Sequence, residues 1–159
     1  DSEKEFSIKR TNDNEWDFQE VKAEIFSHEK KIRQPGEPLY STFEFNNIGK
    51  EQVVNFVISA KNCSISEIVL ELNNFKEIKL PVDLKNGQII KYNGGSTATI
   101  FDSNWNAIQE FDINPTNFNV TQGDNSISFD CQFDQLDKDS NVKLEIRTYG
   151  QKEVIRLTN

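Results

Sequence analysis

Apolar and polar residues alternate with a period of two through most of this chain. From Ser126 to Phe133, Ile127, Phe129, Cys131 and Phe133 fall on one side and Ser128, Asp130 and Gln132 on the other. Val142 to Thr148 repeats the pattern, with Val142, Leu144 and Ile146 set against Lys143, Glu145 and Arg147. Glu67 to Leu72 sets Ile68, Leu70 and Leu72 against Glu67 and Glu71, and Gln52 to Ala60 brings Val54, Phe56, Ile58 and Ala60 into register. Leu39 to Phe45 alternates Leu39, Ser41, Phe43 and Phe45 with Tyr40, Thr42 and Glu44. Such alternation predicts antiparallel strands with one face buried and one solvated. A short strand is expected over Val154 to Leu157. Trp16 to Phe26 reads two ways: Phe18, Val21 and Ile25 fit a helical face, and Val21, Ala23 and Ile25 fit a strand. The strand reading is preferred because the rest of the chain is β.

Turn chemistry separates the runs. Gln34-Pro35-Gly36-Glu37-Pro38 is a loop, and Asn46 to Gly49, Asn73-Asn74, Asn114-Pro115, Gly123-Asp124-Asn125 and Tyr149-Gly150 read as turns. The segment from Leu84 to Phe111 is the richest. Asn86-Gly87 precedes Ile89 to Tyr92, Asn93-Gly94-Gly95 precedes Ala98 to Phe101, and Asp102-Ser103-Asn104 precedes Ala107 to Phe111. Asn-Gly between apolar runs marks tight hairpin turns, which need positive φ. The segment predicts a β-meander with Trp105 at or beside a polar hairpin tip. The close spacing of turns predicts an all-β antiparallel sandwich or jelly roll rather than βαβ units.

The chain has 159 residues, enough for one domain over residues 1–159. It opens at Asp1 and carries structured-looking residues from the start, so it is read as a domain cut from a longer protein. Only 35 % of residues are apolar and mean hydropathy is −0.66, but 12 Phe, 3 Tyr and 2 Trp can carry a core. The net charge of −8 and scattered basic residues argue against nucleic acid. Lys30-Lys31-Ile32-Arg33 is read as a solvated strand end or turn. No apolar run is long enough for a membrane-spanning helix, so no membrane insertion is expected.

The sequence carries no catalytic motif, and the protein is read as not an enzyme. The one histidine, His28, has no nucleophile-elbow glycines to work with and is read as a surface residue. Cys63 and Cys131 are too few for a zinc site or disulfide scaffold. Cys131 reads as a small buried hydrophobe, and a Cys63–Cys131 disulfide stays open in an oxidising compartment. Asp102 to Asn104 and Asp137 to Asn141 offer clustered oxygens that could hold a structural calcium; capped turns account for them more simply, and no metal ligand or cofactor is assigned. The aromatic residues are the candidates for binding. A sugar ring presents an apolar face that stacks on an indole or phenol while polar neighbours meet its hydroxyls. Trp105, among Asp102, Asn104 and Asn106, suits that design, and Tyr92 sits beside a neighbouring turn. The alternative is that Trp105 folds back as a lid over the core.

The run Asn86 to Gly95, the run Ala98 to Asn106 and the closing Val142 to Thr148 resemble the galactose-binding-like β-sandwich accessory modules of polysaccharide-degrading enzymes from gut-type bacteria. The resemblance covers about the last two-thirds of the chain, and its motifs are structural. It implies a jelly roll, a secreted, periplasmic or cell-surface location, and carbohydrate and adjacent domains of a parent protein as partners. The function it implies is a non-catalytic carbohydrate-binding-type module, with Trp105, Tyr92, Asp102, Asn104 and Asn106 as ligand-binding residues. The alternative is a β-sandwich that braces a neighbouring catalytic domain without binding sugar.

Overall fold

The structure is a computed structural model and describes residues 23–32, 41–134 and 140–151. The described chain is all-β and antiparallel. Its strands are β1 (Ala23–Ile32), β2 (Ser41–Asn47), β3 (Gln52–Val53), β4 (Asn55–Lys61), β5 (Ile65–Leu72) and β6 (Glu77–Lys79). They continue with β7 (Ile89–Tyr92), β8 (Thr97–Phe101), β9 (Ala107–Asp112), β10 (Asn119–Val120), β11 (Gly123–Phe133) and β12 (Asn141–Gln151). Six strands form one sheet in the order β1-β12-β4-β7-β8-β9, and four form another in the order β2-β11-β5-β6. A short β10–β3 pair stands beside them. Successive strands cross repeatedly between the two sheets, and the late strands β11 and β12 each insert between two early ones.

One core cluster draws on both sheets. Phe56 and Ile58 of β4, Ile90 and Tyr92 of β7 and Leu144 and Ile146 of β12 are buried together with Leu70 of β5 and Ile127 and Phe129 of β11. All but Ile90 and Tyr92 are residues that the period-two pattern singles out, because a strand turns every second side chain to the same face. The core contains an aromatic trio: the Phe56 ring lies 5.1 Å from Tyr92 and 5.3 Å from Phe118, and Tyr92 lies 5.7 Å from Phe118. The tilted geometry suits the quadrupoles of aromatic rings. Phe118 reaches the core from a 3-10 turn, Pro115–Phe118, with proline at its start and the Asn114 side chain capping the Thr116 amide.

The expected meander is present, since β7, β8 and β9 are antiparallel neighbours. Several boundaries differ from expectation. The expected Gln52–Ala60 strand is broken at Val54, whose amide turns to the Phe118 carbonyl. Gly123-Asp124-Asn125 and Tyr149-Gly150 are strand rather than turn, because each gains a ladder partner: Asn125 lies opposite Phe45, and Tyr149 opposite Ile25. Strand pairing overrides the local turn preference of these residues. The preferred strand reading of Trp16–Phe26 holds from Ala23 onward, and Lys30 to Ile32 end β1. Trp16, Arg33, the Pro35–Pro38 loop, Asp137 to Asp139 and Val154 to Leu157 lie outside the described residues, as does the side chain of His28. Cys63 and Cys131 are both free and buried.

Candidate functional site

Trp105 occupies the turn between β8 and β9. The turn is organised by Asp102, whose carboxylate Oδ1 accepts the backbone amides of Asn104 at 2.8 Å and Asn106 at 2.9 Å. Its Oδ2 accepts the Asn106 side-chain amide at 3.3 Å, and its own carbonyl accepts the Trp105 amide at 2.9 Å. The bonds to the carboxylate, that from the Asn106 backbone amide foremost, hold the Asp102 carboxyl below its ordinary range. Asp102 therefore spends its acceptors on its own turn, which differs from the expected role of hydrogen-bonding a ligand directly. Asn104 and Asn106 flank Trp105 along the chain and are exposed.

The turn holds Trp105 at φ +64°, a left-handed conformation that a bulky side chain rarely adopts and that costs roughly 1–3 kcal/mol. Trp105 is 57 % exposed and among the described residues meets one aromatic neighbour, Phe101, at 5.5 Å with the rings tilted by 55°. It does not close over the core. β9 carries the hairpin past the core: Ala107 to Glu110 are exposed on both faces, Ile108 among them, and β9 forms the edge of its sheet.

Tyr92 is not part of this site. Its side chain is fully buried in the aromatic trio, and its hydroxyl donates to the Gly95 carbonyl at 2.9 Å. Burial pushes the phenol up to about 12. The expectation of a ligand-facing ring is corrected: Tyr92 shares its strand face with Ile90, and that face is the core. The structure thus brings Trp105, Asp102, Asn104 and Asn106 together and separates Tyr92 from them. No group of three or more Asp, Glu, His or Cys side chains suited to a metal occurs among the described residues.

A second concave region was not singled out from the sequence. It is an open cleft of about 740 Å³ whose walls include Gly49, Gln52, Asn55, Asn93, Gly94 and Tyr149. Gln52 fixes one wall. Its side-chain nitrogen donates to the Tyr149 carbonyl at 2.9 Å and its oxygen accepts the Tyr149 amide at 2.8 Å, so the side chain caps β12 as a strand would. Asn47, fully buried, braces the loop by accepting from the Gly49 amide and donating to the carbonyls of Lys50 and Thr121. Asn55 donates to the Tyr149 hydroxyl at 2.9 Å. The partners Gln52 and Tyr149 are 97 positions apart, so no local sequence window could show the cleft. β8 runs from the cleft end to the Trp105 turn, and five residues at about 3.4 Å each set the two regions about 17 Å apart along the sheet.

Compared with known proteins, the chain matches no family model, no curated protein and no solved structure.

Proposed function

We propose that this protein is a non-catalytic carbohydrate-binding-type module of a secreted or cell-surface glycan-degrading protein, folded as a jelly-roll β-sandwich. The strand order supports the jelly roll. The sequence β1-β12-β4-β7 in one sheet and β2-β11-β5-β6 in the other, around one shared core, is that of two interleaved Greek keys. The observation that carries the functional reading is Trp105: a flat indole left largely exposed, in a strained conformation, on a turn that Asp102 holds rigid. Pre-organisation of this kind lowers the ordering cost of binding. The indole offers a stacking face, and Asn104 and Asn106 stand beside it to meet hydroxyls.

One observation favours the second reading, a bracing module. Ile108 is 50 % exposed on the same unpaired edge strand as the hairpin, and an apolar, unpaired edge suits contact with a neighbouring domain. A glycan array and affinity gels with the wild-type protein and Trp105→Ala separate the two. Binding that disappears in a folded Trp105→Ala protein supports carbohydrate recognition at the hairpin. Absence of glycan binding by both folded proteins refutes it and leaves the bracing reading.

A further inference from the structure

We propose that the cleft between Gln52, Asn55, Gly94 and Tyr149 is a second carbohydrate pocket, at the opposite end of the sheet from Trp105, and that it takes a single neutral sugar ring end-on. The proposal extends the carbohydrate reading to a new place and stands or falls separately from the Trp105 hairpin. The cleft volume, about 740 Å³, falls within the roughly 300–1,000 Å³ usual for small-molecule sites.

Its walls are held before any ligand arrives. Gln52 is locked by bonds at both ends of its amide, and Asn47 fixes the loop beneath it without exposing any surface. Asn55 is only 7 % exposed and presents one edge of its amide to Tyr149. A bare wall follows from Gly94, at φ +88°, where an added β-carbon would lie 3.2 Å from the Asn55 side-chain oxygen. Glycine there leaves the Asn55 amide uncovered from that side and satisfies a backbone conformation that other residues resist.

The chemistry of the lining selects the ligand class. The amide nitrogens of Gln52 and Asn55 are held by protein partners, and the lone pairs left on their oxygens offer acceptors without net charge, which the hydroxyls of a polyhydroxylated ring can meet. Lys50 and Glu51 on the rim cancel one another, so the cleft favours neither an anion nor a cation. Glu51 is further occupied by the Asn119 side chain at 2.6 Å. Ile48, 55 % exposed, and Val53 add an apolar strip for the CH face of a sugar.

The test is a two-dimensional amide NMR titration of the full chain with methyl glycosides of galactose, glucose, mannose, xylose and rhamnose. It is run on the wild-type protein, on Trp105→Ala, and on Asn93→Trp, which fills the rim from an exposed position. Asn93→Ala serves as the fold control for that site. The expected result is saturable shifts of the Gln52 and Asn55 side-chain amides and the Gly94 backbone amide, at millimolar sugar, retained in Trp105→Ala and reduced at least tenfold in affinity in Asn93→Trp. Shifts confined to residues 102–106 overturn the second pocket and leave the hairpin reading intact. Cleft shifts of unchanged affinity in Asn93→Trp, or no cleft shifts with any of the five glycosides, also overturn it.

Discussion

Replacing Gly49 by alanine should loosen the whole cleft end of the molecule. A β-carbon built on Gly49 falls 2.1 Å from the Tyr149 carbonyl oxygen and 3.1 Å from the Gly150 α-carbon. Reaching ordinary contact at 3.4 Å requires the loop and β12 to part by about 1.3 Å. Both obstacles are backbone, so no side-chain rotation can absorb the shift. The two bonds between Gln52 and Tyr149, at 2.8 and 2.9 Å, span the same gap and would break. At about 1 kcal/mol each, with overpacking strain of about 1–3 kcal/mol added, the loss comes to about 3–5 kcal/mol. Urea denaturation followed by far-UV circular dichroism measures it. With a slope near 2 kcal/mol per molar urea, the midpoint should fall by about 1.5–2.5 M. Gly95→Ala is the matched control: nothing lies within 4 Å of its β-carbon, and it should be neutral or gain up to about 1 kcal/mol. A Gly49→Ala loss below about 1 kcal/mol, or equal effects at the two glycines, would refute the close approach of Gly49 to β12.

Further outcomes follow from single groups. Tyr92→Phe should cost about 1 kcal/mol through the lost bond to Gly95 and leave glycan binding unchanged, as urea denaturation and affinity gels would record. Because burial raises the Tyr92 phenol from 10.0 to about 12, its neutral form is favoured in the folded state, so its contribution is intact below pH 10 and lost as pH rises towards 12. The difference between wild type and Tyr92→Phe in an alkaline denaturation series should shrink over that window. Thr148→Val should gain about 1 kcal/mol in thermal denaturation, since the fully buried Thr148 hydroxyl has no hydrogen-bond partner among the described residues and valine matches its shape. Asp130 has a carboxylate oxygen without a partner among the described residues, and burial, with Glu77 adding repulsion, raises its pKa above 3.8. Its raised pKa favours the protonated folded form, so stability is present below pH 3.8 and lost as pH rises through the folded value; Asp130→Asn should raise Tm at pH 7 and make no difference at pH 3.

The strands were legible because burial follows a period of two, and that signal survives without any knowledge of partners. Ile127, Phe129, Leu144 and Ile146 could be assigned to the core from spacing alone. The same rule places Tyr92, two positions from Ile90, on the inner face; nearness to a turn suggested otherwise, but a turn at the end of a strand does not change which face its last residue occupies. Trp105 was legible as a turn residue among polar neighbours, and its exposure was one of two alternatives that pattern could not separate. Its positive φ and the inward use of Asp102 depend on the path of the turn. Gly123 to Asn125 and Tyr149-Gly150 were misjudged because their ladder partners, β2 and β1, lie about 80 to 125 residues earlier in the chain. The cleft was invisible for the same reason, being assembled from loops that meet only when both sheets have formed.

The placement of β11 and β12 bears on how the chain comes to be folded at all. Each sits between two earlier strands, β12 between β1 and β4 and β11 between β2 and β5. Until residues 123–151 are synthesised, both sheets lack an inner strand and four strand edges lie open. A nascent chain at that stage can hold hairpins such as β7–β8–β9 but cannot close its core, and its bare edges are templates for pairing with other chains. Ala23 lies opposite Gln151, so the final ladder joins one end of the described chain to the other. Such distant pairing makes folding slow relative to a fold of local contacts. A chain cut before β11 should therefore aggregate rather than fold, and a separate peptide spanning β11 and β12, supplied to it during refolding, is the piece that could rescue it.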